Sequence, residues 1–104
     1  GKGLRPKAMM LSALAGCTSM DVISLLKKMR AEVADLKVEV EGNLTDEHPK
    51  FYDKVKVIYN FYGTDFQKDK IEKAVNLSVD RYCGVFEMFR KFSDISHEIV
   101  YIEQ

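Results

Sequence analysis

The chain has no tryptophan, only two prolines and two cysteines, and no net charge, with 16 Lys and Arg set against 16 Asp and Glu. Each shortage excludes something. Balanced charge argues against a nucleic-acid arm or an anionic membrane surface as partner, because both need a basic excess. Two cysteines are too few for a disulfide scaffold. Pro6 and Pro49 sit at element edges, and no linker, internal repeat or low-complexity run divides the chain. Long apolar runs are scarce as well. Segment Ala8–Cys17 is apolar but falls short of the roughly 20 residues of a bilayer span. It lacks the basic flank of a secretion signal and is followed by Asp21 and Lys27-Lys28. These features give a cytoplasmic expectation with no membrane and no nucleic acid, in a compartment where isolated thiols stay reduced. The chain opens Gly1-Lys2-Gly3 without an initiator Met.

What is present favours a folded domain. Hydrophobic residues make up 46% and aromatics 11% of 104 residues, which excludes disorder and fits a single domain over 1–104 with one modest core. Pro6 suits a helix start, and only Gly16 interrupts a helical pattern from there to about Arg30. The first half of that helix is apolar almost all round, which calls for cover on every side and therefore for a partner subunit. Leu36–Val40 alternates as a half-buried strand, and Gly42-Asn43 opens a turn region reaching Pro49. Phe51–Tyr62 is a longer strand with Val55, Val57, Tyr59 and Phe61 on its apolar face. The two strands pair antiparallel. Helices follow over Gln67–Arg81 and Cys83–Phe92, with a bend near Tyr82–Cys83, and His97–Ile102 closes the chain as a strand. This order predicts an α+β fold with a mainly antiparallel sheet.

The chemistry rests on Cys17 and Cys83. A structural zinc site usually takes four ligands in close pairs, and the only added donors considered, His48 and His97, stand alone. Both histidines fit surface or structural roles by their loop and edge placement. Core packing is open to both cysteines, since free Cys is often buried. A redox pair is the third possibility, with one sulfur attacking a peroxide and the other resolving the product. Ala15, Gly16, Thr18 and Ser19 leave room beside Cys17, which needs a cation or donor to be reactive in apolar surroundings. Cys83 stands at the start of a helical piece, where the helix dipole favours a lowered thiol pKa, with Arg81 and Tyr82 adjacent. No dinucleotide fingerprint, phosphate loop, nucleophile elbow or His-Glu-x-x-His motif occurs, and Gly1-x-Gly3 alone is not one, so no cofactor is implied. Lys54, Lys56 and Lys68–Lys73 are solvated faces, and Met9, Met10, Met20 and Met29 are helix packing residues that also suit a lipophilic pocket.

The run Gly3-Leu4-Arg5-Pro6, then Leu11-Ser12-Ala13-Leu14-Ala15-Gly16-Cys17-Thr18-Ser19-Met20-Asp21-Val22 and Leu26-Lys27-Lys28-Met29-Arg30, resembles the OsmC/Ohr family of thiol peroxidases. So do His48-Pro49 with Phe51, Tyr59 with Gly63, and Lys73-Ala74-Val75 followed by Leu77-Ser78 and Arg81-Tyr82-Cys83-Gly84-Val85. The wording is most similar to the OsmC-like branch. The resemblance implies a long central helix and an intertwined homodimer with its sites at the interface. It implies Cys17 as the peroxidatic and Cys83 as the resolving cysteine, organic hydroperoxides as substrates, and a dithiol reductant, often a lipoyl group. Two departures stand out. Where the family carries a Glu after the proline, this chain has Lys7. The family's activating Arg comes from N-terminal strands that precede this segment. Lys7 favours the alternative of a non-catalytic module that holds a small lipophilic ligand at the dimer interface.

Overall fold

A long helix, α1 (Pro6–Met29), organises the molecule. The computed structural model describes residues 6–104, so Gly1-x-Gly3 and the Gly3-Leu4-Arg5 start of the resembling run lie outside the described residues. Pro6 opens the helix, where its missing N–H costs nothing. Leu14, Thr18, Val22 and Leu26 are buried, a strict spacing of four that keeps one stripe against the fold. The helix ends in a Schellman turn. Ala31 N–H donates to Leu26 O at 3.0 Å and Arg30 N–H to Lys27 O at 3.2 Å. Arg30 takes the left-handed position of that turn with φ 57°, where glycine is the usual residue. Lys70 Nζ also donates to Met29 O at 2.9 Å and satisfies a terminal carbonyl.

α1 has 24 residues, and an 18-residue stretch of it has a mean hydropathy of 1.6, long and apolar enough to cross a membrane. That corrects the length argument drawn from Ala8–Cys17 alone. Length and composition do not separate a span from the core helix of a globular fold, and here the four-residue stripe of α1 forms one side of the core.

Strand β1 (Asp35–Leu44) pairs antiparallel with β2 (Tyr52–Gly63), with Val38 opposite Tyr59 and Val40 opposite Val57. β1 and β3 (Asp94–Glu103) run longer than the alternation alone predicted, and β2 has the expected length, displaced by one residue. Gly42 is required near the end of β1: a Cβ there would lie 2.6 Å from Cδ1 of Tyr52, whose ring covers the strand.

Three helical pieces separate β2 from β3: α2 (Lys68–Leu77), a π-helical turn (Ser78–Tyr82) and α3 (Gly84–Arg90). The long helix expected over Gln67–Arg81 is thus α2 plus the turn, and the expected piece over Cys83–Phe92 is shorter. The bend falls at Cys83, whose backbone is extended at φ −83° and ψ 100°. Arg90 ties turn to helix, donating from Nη2 to Val79 O at 3.0 Å and to Asp80 Oδ1 at 3.1 Å.

The sheet order is β1-β2-β3, and β3 runs parallel to β2. The expectation of a mainly antiparallel sheet therefore holds for one of its two pairings. The helices on one face return the chain to the start of β2, where Asp94 meets Lys54, and a strand entering there must run parallel. The architecture is α+β. Its core lies between α1, the other helices and the inner face of the sheet, with Tyr59, Phe61, Phe86 and Phe89 its largest buried side chains.

Candidate functional site

Cys17 lies on α1, on the flank of the buried stripe, and Cys83 is the residue that caps the start of α3. The fold brings them together. Cys83 Sγ–H donates to Cys17 Sγ at 2.8 Å, and both are free thiols. Cys83 is buried and Cys17 half-buried. Sulfurs this close need little side-chain rotation to reach the S–S length of about 2.05 Å.

The π-helical turn supplies this placement. Cys83 N–H donates to Ser78 O at 2.8 Å, five residues back, so Ser78 and Cys83 stack on one side of the turn, facing α1. In an α-helix, residues five apart are rotated well away from each other. The Phe86 N–H then donates to Cys83 Sγ at 3.4 Å, satisfying one of the free donors of α3.

The dipole argument for a lowered Cys83 pKa does not hold. Burial of its thiol, helped by donation to Cys17, pushes Cys83 up to about 12, against the opposing pull of the Phe86 N–H. Cys83 therefore stays protonated at neutral pH and acts as donor, and Cys17 is the accepting sulfur.

A buried polar chain runs beside the sulfurs. Thr18 Oγ1 lies 2.6 Å from Tyr59 Oη and 2.8 Å from Ser78 Oγ. Ser78 Oγ donates to Asp21 Oδ2 at 3.3 Å. A carboxylate accepts only, so Ser78 must accept from Thr18 and Thr18 from Tyr59 if every hydroxyl proton is used. The chain runs Tyr59 to Thr18 to Ser78 to Asp21. Burial raises the Tyr59 pKa to about 12, keeping its proton in place. None of these four was singled out from sequence as functional. The available signal was Thr18, a polar residue on a stripe otherwise occupied by leucine and valine.

Asp21 also changes the metal argument. Its carboxylate and the sulfurs of Cys17 and Cys83 lie within 4.8 Å of one another, a donor set built without either histidine. A cleft of about 270 Å³, lined by Asp21, Ser24, Leu25, Lys28 and Tyr82, opens beside the aspartate.

Other sequence candidates fall elsewhere. His48 is exposed in the turn region. His97 lies on β3 with its ring edge-on to Tyr59 and Phe86, at centroid distances of 6.2 and 6.4 Å, and desolvation lowers its pKa. Arg81 is exposed. Lys7 is exposed on α1, about 15 Å along the axis from Cys17, beyond the reach of its side chain within one protomer.

Comparisons with known proteins place the fold. The family model described as "OsmC-like protein" matches residues 1–98. Protein YhfA of Escherichia coli K12 is 32% identical over 96 residues, covering 92% of this chain and 72% of YhfA. A hypothetical protein from Aquifex aeolicus superposes with a TM-score of 0.92 at 31% identity, over 100% of this chain and 78% of that one. The organic hydroperoxide resistance protein OhrB of Bacillus subtilis shares the fold with a TM-score of 0.73 at 19% identity, over 95% and 72% of the two chains. With its helix-borne and turn-borne cysteines in contact beneath this fold, the chain belongs to the OsmC-like protein family.

Proposed function

We propose that this chain, as one OsmC-like domain working in a homodimer, is a thiol peroxidase that reduces organic hydroperoxides in oxidative-stress defence. The observation that carries the reading is the polarised sulfur contact, in which Cys83 donates its proton toward Cys17. That contact supplies the donor that a reactive Cys17 requires in apolar surroundings. The Cys17 thiolate attacks the outer peroxide oxygen. An S–O bond forms, the O–O bond breaks, and the departing alkoxide takes a proton to leave as alcohol. Cys83 then attacks the Cys17 sulfenic acid. An S–S bond forms, the S–O bond breaks, and the hydroxyl leaves as water with the Cys83 proton. A dithiol of the lipoyl type returns both thiols by two exchanges and is itself oxidised. All electrons pass through sulfur, so the cycle uses no bound cofactor.

Space and surface support the reading. A Cβ added at Gly16 would meet nothing within 4 Å, leaving the approach beside Cys17 open to a substrate or a second copy. Met9, Met10, Met20 and Ile23 are exposed on α1, an apolar face suited to a subunit interface. OhrB of Bacillus subtilis, named for hydroperoxide resistance, has the same fold.

The test mixes the chain with cumene hydroperoxide and dihydrolipoamide. Peroxide consumption is expected in the native chain and its loss in Cys17→Ser. Cys83→Ser is expected to stop after one turnover, with a sulfenic acid that dimedone traps on Cys17. Consumption that survives Cys17→Ser would overturn the assignment. A thiol pair inert to peroxide, in a chain that copurifies with a lipophilic molecule, would instead favour the binding module.

A further inference from the structure

We infer that the reduced Cys17–Cys83 pair and Asp21 form a binding site for a thiophilic divalent cation of the zinc type, and that the ion and the disulfide exclude each other. The inference rests on the donor geometry and does not depend on peroxidase activity.

Cys17 and Asp21 stand one helical turn apart on α1, the spacing at which two side chains on one helix meet a single ion. Cys83 reaches the same point from the cap of α3. The donor atoms lie within 4.8 Å of one another, with the sulfurs 2.8 Å apart. A tetrahedral zinc with bonds of about 2.3 Å to sulfur and about 2.0–2.2 Å to oxygen holds its ligand atoms roughly 3.5–3.8 Å apart. Separating the sulfurs by about 1 Å reaches that geometry, a shift within the range of side-chain rotation.

The supporting shell is already built. Ser78 donates to Asp21 Oδ2 at 3.3 Å and fixes the carboxylate. The Phe86 N–H donates to Cys83 Sγ at 3.4 Å and is placed to stabilise a thiolate there. The cleft lined by Asp21, Ser24, Leu25, Lys28 and Tyr82 opens the aspartate to solvent. Binding breaks two S–H bonds and releases two protons to solvent, and the ion keeps its oxidation state. In the disulfide neither sulfur carries the anionic lone pair that a zinc ligand needs, so only the reduced chain binds.

The test titrates the reduced chain with cobalt(II) alone, under nitrogen, and then with zinc(II). One cobalt per chain is expected, with thiolate-to-cobalt charge-transfer absorption and intense tetrahedral d–d bands that zinc abolishes. Asp21→Asn should lose affinity about tenfold or more, and Ser78→Ala by a smaller factor. Cys17→Ser should lose roughly half the charge-transfer intensity, since one of two thiolates is gone. The oxidised chain should bind neither metal. Absent bands in the reduced chain, unchanged affinity in Asp21→Asn, or binding that persists after oxidation would each overturn the inference. Circular dichroism checks that the variants fold, and Cys17→Ser decides the matter if Asp21→Asn does not. Peroxide consumption, measured separately in chelated buffer, keeps a failure of the peroxidase reading distinct.

Discussion

Along one side of α1, Leu14, Thr18, Val22 and Leu26 are buried; along the other, Met9, Met20 and Ile23 face outward with 46%, 74% and 42% of their surface exposed. Both sides are apolar in composition, so hydrophobicity does not distinguish them. Spacing does. The packed side repeats every four residues and carries one hydroxyl, which ties the helix to β2 and to the π-helical turn. The open side is rich in methionine, a flexible residue suited to surfaces that adapt to a partner. One helix thus serves the internal core on one side and leaves an exposed apolar face on the other, with Cys17 and Asp21 along the edge of the packed stripe.

The sharpest way to break this contrast is to truncate each side in turn. Leu14→Ala, which empties a fully buried position, should cost about 2–5 kcal/mol in urea unfolding. Met20→Ala should stay within about 0.5 kcal/mol at concentrations where the chain is monomeric. Similar losses from both would erase the distinction.

The hydroxyl on the packed side can be tested next. The folded chain holds the Tyr59 proton more tightly than the unfolded chain does, its pKa standing near 12 against an ordinary 10.0. Its contribution is whole below pH 10 and is lost as pH rises toward 12. The loss approaches about 3 kcal/mol above pH 12, from about 1.4 per pH unit. Alkaline unfolding curves should show the decline in the native chain and a flatter one in Tyr59→Phe. Thr18→Val, which strands the Tyr59 hydroxyl and leaves Ser78 only its bond to Asp21, should cost about 1–3 kcal/mol at neutral pH by the same unfolding measurement. The smallest change is at the helix end. Arg30→Gly relieves a left-handed residue and should raise stability by up to about 1 kcal/mol.

Much of this was legible in the sequence because it rests on local pattern. Pro6 and the run after it, interrupted only by Gly16, locate α1, the alternation around Val38 and Val57 locates β1 and β2, and Gly84 marks the bend after Tyr82. The parallel pairing of β3 was not legible, since strand direction depends on where three helical pieces return the chain and no residue in His97–Ile102 encodes it. The π-helical turn was hidden for a similar reason. Ser78 reads as an inner residue of a plain helix, and nothing in Ser78–Tyr82 announces a five-residue hydrogen bond. Asp21 looked like the polar end of an apolar segment. Its neighbours Cys83 and Ser78 come from about 60 residues further along, a proximity only tertiary packing creates.

The turn at Ser78–Tyr82 makes the sulfur contact a matter of chain length as well as residue type. An α-helix advances about 100° and 1.5 Å per residue. With the same residues wound as a plain α-helix, Cys83 would stand about 140° around the axis from Ser78, away from Cys17. Both cysteines and every residue around them would remain, and the pair would not. Relatives one residue shorter between these motifs are expected to keep the sulfurs together with a plain α-helical turn in place of the wide one.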